Sequence, residues 1–330
     1  MDQKLTSACR SFIENRDILR SACRMESTYL YPVGAISFLN SDKKADVSTI
    51  KGCAAMLKER VNAFSSFRGT ARLAILSMLA SDEEPQKRLE LALDAYSHLK
   101  KHFIAGPYLP LAAMIVSGRV PPERFGYVAE RTSEIYELMR REHPFLTSGE
   151  DSVFSALLAL SDQTPGDAVT EVERCYKLLK KRFYFSNAVQ SLSHVLALCE
   201  GRAEDKCQKT VELYEAMRSE GIRYGTEYEL ATLGVLAMLP AGRYEIIEKL
   251  GDIDLYLSSC RGYGFWGLGR RQRIMHAAMI LTSSLLSDTD RQLGQSTLAL
   301  SAQQSAIAAA QQAAICAAIA AQAAASSSSH

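Results

Sequence analysis

The sequence has no excess of charge of either sign: 38 Lys+Arg stand against 37 Asp+Glu in 330 residues. A surface that grips a nucleic-acid backbone needs a basic excess, so the balance speaks against nucleic acid as a partner. The charges are interspersed, as in Glu171-Val172-Glu173-Arg174, which marks solvated helix faces and leaves only local basic clusters able to hold an anion. Paired cysteines are also lacking. The eight, at 9, 23, 53, 175, 199, 207, 260 and 316, form no C-x-x-C pair, so the common zinc layouts are excluded and no metal site is expected. Most sit among apolar neighbours, as in Leu196-Ala197-Leu198-Cys199, and read as small buried hydrophobes of a reducing compartment. Met1-Asp2-Gln3-Lys4 carries an acid and polar residues where a secretory leader has its apolar core, which predicts a cytoplasmic protein. From Gln292 onward there is no Lys, Arg, Asp or Glu, and large apolar residues are few.

What is present is an apolar fraction of 47%, that of a folded protein, in a chain longer than one core usually serves. Either two domains or an extended repeat array is required. The array is favoured by five stretches sharing one pattern: a short apolar helix, a small or polar turn, then a longer amphipathic helix carrying a tyrosine. The turns are Ala80-Ser81-Asp82, Ser117-Gly118-Arg119, Ser161-Asp162-Gln163, Glu200-Gly201-Arg202 and Pro240-Ala241-Gly242. The tyrosines, Tyr96, Tyr136, Tyr176, Tyr214 and Tyr256, are spaced by 40, 40, 38 and 42. Val169, Val172, Tyr176 and Leu179 give one long helix the apolar stripe of a surface helix. The short helices, such as 71–79, are apolar nearly all round and must be buried between neighbours. Pro121-Pro122 is expected to open a long helix, and Ser148 with Asp151 to cap a short one.

One helical hairpin cannot cover its own apolar face, so hairpins stack. The fold class expected is all-α: a tandem helical-hairpin solenoid of about five repeats of roughly 40 residues with capping helices at both ends. Residues 1–66 form the N-terminal cap, with helices near 3–20, 24–39 and 46–63, and 67–286 form the array, closed by a helix around 273–286. Residues 287–330 are an Ala/Gln/Ser-rich tail, helical or partly disordered. Gln303, Gln304, Gln311, Gln312 and Gln322 interrupt its apolar residues, which disfavours a membrane span. Packing on the array and self-association stay open as its roles.

Four places hold candidate chemistry. Gly262-Tyr263-Gly264-Phe265-Trp266-Gly267 spells G-x-G-x-x-G, but a helix rather than a strand precedes it, so a tight aromatic turn is expected and no cofactor is implied. Arg270, Arg271 and Arg273 follow it and suit an anion or acidic partner. The connection 143–151 gathers His143, Glu150 and Asp151, the groups of a general base or metal ligand. Asn187, Gln190, Ser191 and His194 share one face of a short helix, and Arg68 precedes the first repeat helix, where it can hold a carboxylate.

Phe67-Arg68-Gly69, His143-Pro144-Phe145-Leu146-Thr147, the run 187–194 and Gly262-Tyr263-Gly264-Phe265-Trp266 together resemble an uncharacterised bacterial family. It is catalogued as domain of unknown function four thousand and three and is common in Gram-positive bacteria. The likeness runs from about residue 5 to 285 and implies a bacterial, cytoplasmic protein, with no activity or ligand carried over. The expectation for function is a non-enzymatic scaffold that binds a protein segment, peptide or small ligand in a concave groove at Arg68, Asn187, Gln190, Ser191 and His194. The alternative is a hydrolase or metal-assisted enzyme whose pocket joins His143, Glu150 and Asp151 to His194.

Overall fold

The computed structural model describes residues 1–264, 267–292 and 298–327. Among the described residues the chain is all-helical, without a β-strand. The helices are α1 (Gln3–Ala22), α2 (Leu30–Asn40), α3 (Val47–Arg60), α4 (Arg72–Ala80), α5 (Pro85–Leu99), α6 (Leu109–Ser117), α7 (Phe125–Glu142) and α8 (Asp151–Ala159). They continue with α9 (Pro165–Leu179), α10 (Ser186–Ala197), α11 (Ala203–Ser219), α12 (Leu230–Met238), α13 (Arg243–Ser258), α14 (Arg270–Gln292) and α15 (Leu298–Ser327). Two compact units emerge, one of residues 14–170 with 319–330, the other of 171–318 with 1–13. Their limits fall inside α1, α9 and α15.

Short and long helices alternate as the apolar pattern requires. In α6 and α8 all nine residues are buried; α6 is apolar up to Ser117, and α8 buries Asp151, Ser152 and Ser155 along with its apolar residues. Each of the five tyrosines lies on a long helix, α5, α7, α9, α11 and α13. In the 14–170 unit the short helices α2, α4, α6 and α8 pack in succession, and α3, α5 and α7 form a second row beside them. In the 171–318 unit α10, α12 and α14 form one row, and α11 with α13 the other.

Two devices recur. The first is aromatic: Phe67, after α3, meets Tyr96 of α5 edge-on at 5.1 Å between centroids, and Phe103, after α5, meets Tyr136 of α7 at 5.3 Å. In the other unit Phe183 meets Tyr214 in the same way at 5.3 Å. The second closes short helices. The last carbonyls of a helix have no partner within it, and here a cation from a long helix supplies one. Arg88 of α5 donates to Met114 O near the end of α6, and Arg131 of α7 donates to Ala159 O (3.1 Å), Ser161 O (3.3 Å) and Gln163 O beyond α8. In the 171–318 unit Lys206 of α11 donates to Cys199 O (2.8 Å) after α10 and pairs with Glu171 at 2.8 Å while only 3% exposed.

Local departures from the sequence pattern have local causes. Residues 24–29 form a turn, held by the Tyr31 hydroxyl lying 2.6 Å from Cys23 O and 3.0 Å from Glu26 O, so α2 begins at Leu30 instead of near 24. Pro122 heads a single 3-10 turn, Pro122–Arg124, and α7 starts only at Phe125. Ser148 does not cap α8: it is exposed, and the contact runs the other way, Asp151 Oδ2 accepting from Ser148 N at 2.7 Å. The tail residues 298–327 are helical, and buried Gln311 donates to Ser283 Oγ (2.9 Å) of α14, so α15 packs on that helix. Seven of the eight free cysteines are buried, and burial pushes the thiols of Cys9, Cys199 and Cys316 up to about 12.

Candidate functional site

The connection 143–151 opens as α7 closes, His143 N donating to Met139 O at 2.9 Å. Phe103 makes the same bond to Leu99 O after α5, so half-buried His143 occupies the place that Phe103 fills one hairpin earlier. At the other end Asp151 begins α8 and is 2% exposed. Burial raises its carboxyl pKa to about 8, against the opposing Ser148 N–H, with adjacent Glu150 adding to the rise. Glu150 is itself raised by burial. Burial and then the Glu150 charge lift the Tyr108 phenol to about 12, and burial and then Asp151 raise Tyr136. Two carboxyls and two phenols thus share one neighbourhood of low polarity, and Asp151 holds its proton at neutral pH.

The polar face of α10 runs from water into the core. Asn187 is exposed and Ser191 half-buried, its hydroxyl donating to Asn187 O at 3.1 Å. Gln190 is 4% and His194 1% exposed. His194 and the 143–151 connection belong to different compact units. Arg68 ends the 3-10 turn Ser66–Arg68, half-buried, and among the described residues no carboxylate pairs with its guanidinium.

The glycine-rich run is an aromatic turn in its described part; Phe265 and Trp266 lie outside the described residues. Helix α13 precedes it. Gly267 packs so closely that a Cβ there would sit 2.1 Å from Gly262 O, and Leu268 N closes the turn on that same oxygen at 2.8 Å. Tyr263 is buried with its hydroxyl 2.9 Å from His276 Nδ1, and Arg273 clamps Asp254 through two bonds of 2.6 and 3.2 Å. Among the described residues of this turn, the amides of Tyr263, Gly267 and Leu268 donate to carbonyls of the turn itself.

The feature that residue patterns did not disclose lies where α11 ends. Gly221 takes φ +76, a left-handed conformation that favours glycine, and lets Ile222 N reach back to Met217 O at 2.8 Å. The loop then turns outward, lining with Arg271 of α14 a polar cleft of about 480 Å³. Its walls carry Arg218, Arg223 and Arg271, with Tyr214 and Thr226 between them. Arg218 and Arg223 have no ion-pair partner among the described residues, and Arg271 lies 3.4 Å from exposed Glu227 and also acts electrostatically on Glu229. Exposed Glu220 lies between Arg218 and Arg223 in the chain, and Glu229 is 1% exposed, accepts from Glu227 N at 3.2 Å, and is pushed by burial toward its neutral form. Three guanidiniums therefore line one concavity, and two of them, Arg218 and Arg223, have no ion-pair partner among the described residues. Of these arginines, the cluster after the glycine-rich run signalled only Arg271.

Among the described residues no three His, Cys, Asp or Glu side chains are placed to hold a metal ion, and no helix is long and apolar enough to cross a membrane. No curated protein and no solved structure matches the chain. A family model does, over residues 17–323, which takes in the alanine-rich helix as well as the motifs that carried the resemblance. The chain belongs to the family described as protein of unknown function, DUF4003.

Proposed function

We propose that this chain is a non-catalytic, cytoplasmic binding protein built as a solenoid of about five helical hairpins over residues 67–286, and that its ligand is anionic. The shared register of the five tyrosines and the repeated aromatic and carbonyl-capping contacts support the repeat reading. The observation that carries the functional reading is the arginine cleft. Guanidiniums repel one another, and an oxyanion that accepts bidentate bonds from them relieves the repulsion in a geometry lysine cannot match. A phosphorylated or carboxylate-bearing small molecule, peptide or protein segment has the matching chemistry. Arg68, Asn187 and Ser191 keep exposed polar atoms for further contacts, whereas Gln190 and His194 serve from within the core.

A thermal-unfolding screen against phosphate, pyrophosphate, citrate and phosphopeptides tests this. A ligand at about a hundred times its dissociation constant adds about 2.7 kcal/mol to folded-state stability. The expected result is a rise in Tm with one anion class that vanishes in Arg218→Ala/Arg223→Ala. A shift that survives this double substitution would remove the cleft from the account.

One observation favours a second reading, a hydrolase using His143, Glu150 and Asp151: a buried acid that holds its proton to about pH 8 is what a general acid needs. Turnover of chromogenic esters or phosphomonoesters that disappears in Asp151→Asn would establish it, and turnover unchanged by that substitution would end it.

A further inference from the structure

In the 14–170 unit Met25 stands 98% exposed after α1, and the connections that leave α3, α5 and α7 each place one large apolar side chain almost wholly in water. These are Phe64 at 99%, Ile104 at 96% and Phe145 at 99% exposure, spaced by 40 and 41 residues. Exposed apolar residues scattered singly are ordinary, but these recur with the hairpins. The ring contacts Phe67–Tyr96 and Phe103–Tyr136 lay the connections after α3 and α5 against the C-terminal part of the next long helix. The three tips therefore line one edge of the unit, separated by about the 10 Å that divides packed helices.

The charge of that edge is one-sided. Connections 61–71, 100–108 and 143–150 contain Arg68, Lys100 and Lys101 against one carboxyl, Glu150, which burial pushes toward its neutral form. The connections at the other ends of the helices, 81–84, 118–124 and 160–164, contain Asp82, Glu83, Glu84, Glu123 and Asp162 against only Arg119 and Arg124. The formal tally is +2 on one edge and −3 on the other, in a chain whose net charge is +1. Near the apolar tips, exposed Lys58 and Arg141 are matched by the equally exposed Glu59 and Glu142, so the cations of the connections themselves set the charge of the edge.

We infer that this edge docks on an anionic phospholipid surface, Phe64, Ile104 and Phe145 entering the headgroup–acyl boundary while Lys100, Lys101 and Arg68 meet lipid phosphates. Separate tips about a helix width apart make no continuous apolar patch, so a protein partner would need a pocket for each of them. A bilayer accepts each tip independently, and its negative surface potential attracts the cations beside them. The contact is peripheral and involves no membrane-spanning helix.

The test is co-sedimentation of the full-length protein with phosphatidylcholine vesicles, alone or containing about 30% phosphatidylglycerol. The wild type is expected to partition to the anionic vesicles only. Phe64→Ser/Ile104→Ser/Phe145→Ser, with unchanged helical circular dichroism, should lower the partition coefficient about tenfold or more, as loss of buried apolar area requires. Lys100→Glu/Lys101→Glu should weaken binding as well, and Arg218→Ala/Arg223→Ala should leave it intact. The inference is overturned if the wild type ignores anionic vesicles, or if the triple variant binds as the wild type does. Loss of binding in Arg218→Ala/Arg223→Ala instead would also overturn it, assigning the headgroup to the arginine cleft. So would vesicle indifference combined with a change from dimer to monomer in the triple variant, which would make the edge an interface between copies.

Discussion

Asp151→Asn is the most informative single substitution in the 143–151 region. The side chain is 2% exposed and its pKa rises from 3.8 to about 8 in the folded chain, first because burial disfavours the charge. Between these values the folded state binds a proton that the unfolded state has released, so stability falls as pH rises through the window and levels off above about 8. One proton corresponds to about 1.4 kcal/mol per pH unit, so the loss from about pH 5 to pH 8 is about 4 kcal/mol. Asparagine mimics the protonated carboxyl: one oxygen still accepts the Ser148 amide, and no charge needs desolvation. Urea unfolding followed by circular dichroism from about pH 5 to pH 9 measures the difference between the two proteins. That difference reports Asp151 together with its coupling to adjacent Glu150, whereas Glu229, also raised by burial, titrates in both proteins and cancels. The variant should lie within about 1 kcal/mol of the wild type at the acid end and be the more stable by a few kcal/mol at the alkaline end. Parallel curves across the range would show that the native carboxyl is ionised throughout, and the reasoning from burial would fail.

Three further outcomes follow from the packing. Arg131→Met should destabilise by about 1–3 kcal/mol in urea titrations, because carbonyls at the end of α8 lose a charged donor. Lys206→Met should cost about 3–5 kcal/mol, since it strands Glu171 as well as Cys199 O, and the additional Glu171→Gln should recover part of it. Gln311→Leu should lower the protection of α15 amides in hydrogen exchange by removing its bond to Ser283, and unchanged protection would place the anchoring of that helix elsewhere.

The helices themselves were legible because burial in this chain follows period. All-round apolar segments such as 109–117 could only be inner helices, and the tyrosines marked the long ones in register. What escaped was set by contacts distant in sequence. The hydroxyl of Tyr31 fixes the turn before α2, and Asp151 bonds backward to Ser148, so capping residues of the right type acted in an unanticipated sense. The cations that close short helices reach across about thirty residues, beyond any local pattern. His143 suggested chemistry because it shares its connection with Glu150 and Asp151, yet it stands where Phe103 stands in the preceding hairpin. The arginine cleft combines the end of α11 with the start of α14, and only folding brings Arg271 to the loop that carries Arg223.

Isothermal titration of the full-length protein with inorganic pyrophosphate, in wild type and in Arg218→Ala/Arg223→Ala, tests the anion-binding claim most directly. The cleft predicts saturable one-to-one binding with a dissociation constant of about 1 mM or tighter, weakened at least tenfold by the double substitution, a loss of about 1.4 kcal/mol. No heat of binding in the wild type, or the same affinity in both proteins, would contradict it.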